Sequence, residues 1–198
     1  MRDGWVQTCL GEVADIYQPQ TIAKALMDDS AEYIVYGANG PIGRYHQFNH
    51  ADREVVVTCR GATCGTINMT PEKTWITGNA MVVHPKSDLL DKQFLFYSLI
   101  SVVDVHSIIS GSAQPQITRE GMLPVKISIP PLPQQKRIVD LISCVDLYID
   151  SVNKQGIKSL ENISLLGSAT RLRAALLSDL LSGKHEIPAS YDLIMENS

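Results

Sequence analysis

The sequence lacks the segments that would place it in a membrane or mark it for export. Its 198 residues contain no apolar run near the roughly 20 residues a membrane-spanning helix needs. No apolar stretch follows the opening Met1-Arg2-Asp3-Gly4-Trp5, so no signal peptide is predicted and a cytoplasmic protein is expected. Aromatic residues are scarce at 6%. Positive charge is in deficit, with 17 Lys and Arg against 21 Asp and Glu, for a net charge of −4. That balance argues against a generally basic nucleic-acid coat but leaves room for a local basic face. Cysteine is limited to Cys9, Cys59, Cys64 and Cys144, expected as free thiols in a reducing compartment. Enzyme signatures are also missing. There is no Walker loop, no nucleophile elbow and no Asn/Asp-Pro-Pro-Tyr/Phe motif; Ile129-Pro130-Pro131-Leu132 lacks the polar residue that would hold a target amino group.

Proline is absent from 134–183, although the chain has ten. That absence divides the sequence. Residues 1–133 carry short β-type runs: Tyr33-Ile34-Val35-Tyr36, Glu54-Val55-Val56-Val57-Thr58, Trp75-Ile76-Thr77, Ala80-Met81-Val82-Val83 and Val125-Lys126-Ile127-Ser128-Ile129. Turn signals at Asn39-Gly40-Pro41, Gly61, Gly65 and Pro71 separate several of them. One helix is predicted after Asp88 as N-cap, with Leu89, Phe94, Tyr97, Leu99, Ile100 and Val103 forming a broad apolar face. The expected fold is α+β: an irregular mixed-sheet globule, then a long C-terminal coiled-coil helix.

Residues 134–183 have the helical pattern. Ile138, Ile142, Val145, Ile149 and Val152 recur at threes and fours. The register slips near Gly156, resumes with Leu160 and Ile163, slips near Gly167, and ends with Leu172, Leu176, Leu177, Leu180 and Leu181 before Gly183-Lys184. One continuous helix here would run roughly 75 Å, too far to fold back on a small globule, so its stripe would need a partner. Two or three shorter helices in a bundle are the alternative. Residues 184–198 are expected to form a loose tail.

Three ordered stretches carry a resemblance. The first is Tyr36-Gly37-Ala38-Asn39-Gly40-Pro41-Ile42-Gly43-Arg44-Tyr45, with Val55 through Gly65 after it. The second is Gly111-Ser112-Ala113-Gln114-Pro115-Gln116-Ile117, leading to Pro130-Pro131-Leu132-Pro133-Gln134-Gln135-Lys136-Arg137-Ile138. The third is Arg171 through Lys184. Together with Gly4-Trp5 and Leu10-Gly11-Glu12-Val13-Ala14-Asp15-Ile16, this set resembles the DNA specificity subunit of Type I restriction–modification systems. The resemblance implies a target recognition domain over 1–133 that reads one half of a split double-stranded DNA site. It implies a helical spacer over 134–183 for dimerisation and docking. Methyltransferase subunits would dock there, carry S-adenosylmethionine and methylate adenine, and a restriction subunit can join them. The specificity chain itself would hold no cofactor and no catalytic centre. Family members carry two such units in tandem, whereas this chain has one. It therefore resembles a half subunit expected to homodimerise on a palindromic split site. A truncated or inhibitory fragment competing for methyltransferase subunits is the second reading.

Candidate DNA-contacting residues are Asn39, Arg44, Tyr45, Arg60, Thr63, Lys73, Thr77, Asn79, Gln114, Gln116 and Arg119. Gly37, Gly40 and Gly43 read as a tight turn placing Asn39, Arg44 and Tyr45 on an exposed loop. Arg60 suits a guanine or a phosphate, and equally a salt bridge with Asp52 or Glu54. Gln114 and Gln116 could pair with adenine, though a structural loop role is preferred because the motif marks the family generally. His46, His50, Cys59 and Cys64 have His-x3-His and Cys-x4-Cys spacing. Their order is unusual for zinc, and Cys59 lies in a strand-like run, so no metal is expected; a small metal or redox protein is the alternative of another class.

Overall fold

In the computed structural model of the chain, residues 4–111, 113–155, 160–183 and 187 are described. They form two compact units: Gln7–Ile127, and Met1–Val6 with Ser128–Ser198. The divisions fall inside β1 (Val6–Cys9) and β9 (Lys126–Ile129). The fold is α+β, as the mixture of β-type runs and helical periodicity predicts.

The 7–127 unit is built on two sheets. The four-stranded sheet is antiparallel in the order β2 (Ala14–Tyr17), β8 (Ala80–Pro85), β5 (Val55–Thr58), β6 (Ile67–Met69). The three-stranded sheet has β3 (Tyr33–Tyr36) at its centre. There β4 (Pro41–Tyr45) pairs antiparallel and β7 (Trp75–Ile76) parallel. Val55, Val56 and Val57 are all fully buried, and so is β8 over Ala80–Val83. Continuous burial explains why these strands read as unbroken apolar runs rather than alternating ones. Tyr36, Val56, Ile76, Ala80 and Val82 form one core cluster that joins the two sheets.

Helix α2 (Lys92–Ser101) packs on β5, β6 and β8 through Phe94, Leu95, Tyr97 and Leu99. Its cap is Asp91, not the expected Asp88: the Asp91 carboxylate accepts from Phe94 N at 2.8 Å. Asp91 wins because it stands three residues before the amide it satisfies. Two single-turn helices, α1 (Leu10–Val13) and α3 (Arg119–Met122), complete the unit, the second capped by the Thr118 hydroxyl on Gly121 N.

The C-terminal unit corrects the expectation of one continuous helix. It holds α4 (Leu132–Gln155) and α5 (Leu160–Leu181). Helix α4 begins on the proline-rich step, with Pro133 in the first turn, where a missing N–H costs nothing. Buried Gln135 donates from Nε2 to Pro130 O at 2.9 Å and ties the chain entering the helix. The guanidinium of Arg173 on α5 forms an ion pair with Asp146 on α4. Those positions are 27 residues apart, and on one straight helix they would stand roughly 40 Å apart. The helices therefore lie side by side as a hairpin. The apolar stripe finds its partner within the chain, which an isolated 75 Å helix could not provide. Gly167 sits inside α5, and α5 stops before Gly183, whose φ of 71° suits glycine and whose N–H bonds back to Leu180 O. Gly156 and the expected loose tail, apart from Ile187, lie outside the described residues.

Candidate nucleic-acid interface

The loop end of the four-stranded sheet gathers most of the predicted DNA residues. Strand β5 runs out through Cys59 and Arg60 into a turn, where Gly61 adopts φ 86°. A second segment closes on that turn. Ile117 N donates to Cys59 O at 3.0 Å, Gly61 N to Pro115 O at 3.1 Å, and Arg60 and Gln116 form an antiparallel bridge. Ser110 exchanges backbone hydrogen bonds with Gln116 at 2.9 Å each way. Arg60 and Gln116 are therefore held by backbone while both side chains stay exposed. Thr63 is exposed on the same turn, and Gln114 on the facing segment.

Asn79 enters from the start of β8, where its carbonyl accepts from Cys59 N at 3.2 Å. Gln18, not anticipated from sequence, donates from Nε2 to Gly78 O at 2.9 Å and contacts Cys59 Sγ. The turn between β3 and β4 reaches the same sheet end. Thr58 Oγ1 donates to Ala38 O at 2.6 Å, and Asn39 Oδ1 accepts from Asn68 Nδ2 at 2.6 Å. Asn68, on β6, was also not anticipated. The structure thus brings Asn39, Arg60, Thr63, Asn79, Gln114 and Gln116 to one rim. Segments 37–40, 58–68, 77–80 and 110–118 contain no Asp or Glu, in a chain that has 21.

The other predicted residues lie elsewhere. Arg44 and Tyr45 are part of β4, not of an exposed loop, because the tight turn closes at Gly40 and pairing begins at Pro41. The Arg44 guanidinium donates to Ala31 O and Glu32 O, at 2.5 and 2.6 Å. Tyr45 packs edge-on against Trp75, with ring centroids 5.2 Å apart. Arg119 Nε donates to Ile16 O at 2.8 Å. Lys73 is exposed on a turn with φ 49° and bonds Ala51 O through its backbone. Thr77 is buried, and its hydroxyl has no partner among the described residues.

Four arginines are described in this unit, and three donate to backbone carbonyls: Arg44, Arg53 and Arg119. Only the Arg60 guanidinium has no partner among the described residues. The salt bridge considered for it with Glu54 does not form. Glu54 is buried and pairs instead with His84 Nδ1 at 2.9 Å and Lys92 Nζ at 3.0 Å.

The Cys/His set is dispersed in its bonding. His46 pairs with Asp28, while His50 Nε2 meets Tyr17 OH at 2.9 Å. Burial holds the His50 pKa below its ordinary value, and burial, reinforced by Glu54 and Asp15, pushes the Tyr17 phenol up. Cys59 and Cys64 are buried free thiols, with Cys64 pushed up by burial. Among the described residues, no group of three or more His, Cys, Asp or Glu could hold a metal ion, and no helix is long and apolar enough to cross a membrane.

Of the helix residues expected to face a partner, Ile138, Ile142, Val152 and Leu180 are buried. Val145, Ile149 and Leu176 are half-buried, and Leu172 is exposed. The side chains of Leu160 and Ile163 lie outside the description.

Residues 2–162 match the family described as the Type I restriction modification DNA specificity domain. The chain belongs to that family. Two specificity subunits of Methanocaldococcus jannaschii are similar. That of the MjaVIII Type I restriction enzyme is 29% identical over 106 residues, and that of the putative MjaX enzyme 27% over 105. Each match covers 52% of this chain and 24% of the relative. Solved structures share the fold. The S subunit from M. genitalium superposes with a TM-score of 0.67 at 18% identity, over 76% of this chain and 41% of that one. The HsdS subunit from Thermoanaerobacter tengcongensis gives 0.58 at 21%, over 93% and 46%. A chain from a study of complex assembly and conformational transition of the Type I system gives 0.62 at 21%, over 91% and 46%. The specificity-domain chain thus spans less than half the length of each of these structures.

Proposed function

We propose that this specificity-domain chain is the DNA-reading, non-catalytic component of a Type I restriction–modification complex in the cytoplasm, and that the rim around Arg60 takes one half of a split double-stranded site. One observation carries the assignment: the single uncommitted arginine of the 7–127 unit stands on a backbone-locked turn, among rim segments that themselves carry no Asp or Glu. A duplex presents phosphate oxygens and base edges, which demand a positive charge and neutral donors and acceptors in this arrangement. The remaining cations of the unit are few, so affinity for DNA alone is weak. Methyltransferase subunits supply the rest of the phosphate contact, bind S-adenosylmethionine and methylate adenine; a restriction subunit joins the same assembly. A second copy of this chain supplies the second half-site reader, and the exposed Leu147, Tyr148 and Leu172 of the hairpin form its seam.

The test is selection of a randomised duplex library by the chain assembled with a Type I modification subunit, with the mass of the assembly measured in parallel. A split palindromic motif and two copies of the chain are expected. No enriched motif would reject the DNA role, and an asymmetric motif would reject pairing with itself.

A further inference from the structure

We infer that Asn68 reads an adenine in the half-site and that Asn39 is the positioning residue that orients its amide. The inference rests on the proposed DNA role of the rim. Asn68 stands on β6, the edge strand of the four-stranded sheet, opposite Val56. Asn39 reaches it from the β3–β4 turn, which belongs to the other sheet. That turn is fixed twice: Gly37 N donates to Gly40 O at 2.8 Å, and Thr58 Oγ1 donates to Ala38 O at 2.6 Å. Gly40 has φ 145°, a conformation that favours glycine, so the tip keeps its shape.

The amide arithmetic then selects the ligand. An asparagine side chain offers two N–H donors and one carbonyl oxygen. One Asn68 N–H goes to Asn39 Oδ1 at 2.6 Å, and neither side chain has another partner among the described residues. Asn68 is left with one donor and one acceptor on a single planar group whose rotation is fixed. A phosphate offers only acceptors and cannot use the Asn68 oxygen. In the major groove guanine offers two acceptors, thymine an acceptor and a methyl group, and cytosine one donor. Adenine alone pairs an acceptor, N7, with a donor, the N6 amino group, and so engages both groups of Asn68 at once.

Full chains carrying Asn68→Asp, Asn39→Ala or Asn39→Asp, each assembled with a Type I modification subunit, are selected on the randomised duplex library beside the wild type. Asn68→Asp loses the N–H that Asn39 Oδ1 accepts, so the Asn39 amide turns over to donate its Nδ2–H to the new carboxylate, and the remaining donor becomes an acceptor. Preference for adenine is expected to fall about tenfold or more at one half-site position, shifting toward cytosine, with the other positions unchanged. Asn39→Ala lowers preference at the same position. Asn39→Asp, which still accepts from Asn68, retains it while weakening all sites alike. A merely structural tie between the sheets would not move a single base preference. An unchanged motif with Asn68→Asp, or equal loss at every position, overturns the assignment while leaving the DNA role standing. A wild-type assembly that enriches no motif overturns both.

Discussion

The reversal of the helical segment gives a sharp quantitative prediction at Ile142. This side chain is fully buried, one turn after Ile138, itself 1% exposed. Leu177, Leu180 and Leu181 are buried on the facing helix. Ile142→Ala removes three carbons, worth about 2.4 kcal/mol at ~0.8 kcal/mol per buried methylene, and the cavity left behind raises the cost to about 3–4 kcal/mol. Leu165, 43% exposed on α5 and outside the proposed seam, is the internal control: Leu165→Ala is expected to cost less than about 1 kcal/mol. Urea denaturation followed by helical circular dichroism measures both. Because the hairpin is intramolecular, the Ile142 effect should be the same over a hundredfold range of protein concentration. A loss below about 1 kcal/mol, or one that grows on dilution, would refute the hairpin and favour a seam made only between chains.

Three further outcomes follow from the 7–127 unit. Arg60→Ala should weaken binding to every duplex alike and reduce the salt slope by about 0.9, so that the wild-type advantage shrinks roughly 3.5-fold between 50 and 200 mM salt; a changed base preference instead would assign Arg60 to a guanine. Lys92→Met leaves buried Glu54 with His84 as its remaining ion-pair partner and should cost about 3 kcal/mol in denaturant titration; a cost under 1 kcal/mol would show that the pair is dispensable. His50 is held below its ordinary value by burial, so as pH falls below about 6.5 the unfolded chain takes up that proton first. Stability present above that pH is lost as the pH drops through the folded-state value, and His50→Gln should flatten the decline; an unchanged slope would place its origin elsewhere.

How much of this was legible in the sequence follows from local chemistry. Strands β3 and β5 announce themselves because their residues are β-branched or aromatic, and β8 because Ala80–Val83 is an unbroken, fully buried apolar run. Strand β4 hides behind Pro41 and Gly43, and β6 behind Asn68, since short edge strands need no apolar run. The hairpin was illegible because both alternatives share one apolar period; only the Asp146–Arg173 pair distinguishes them. The rim was half legible. Gly61 and the Gln114–Gln116 motif mark a turn and a loop, but no local pattern tells that Arg44 and Arg119 donate to carbonyls while Arg60 does not. Asn68 was missed for the same reason: its meaning comes from Asn39, 29 residues earlier.

The most direct test of the central claim is a map of methylated adenines in the genome of cells that express the chain with a Type I modification subunit. New methylation confined to one split palindromic motif is the predicted result. A genome without new methylated adenines, despite a purified complex containing both proteins, would contradict it.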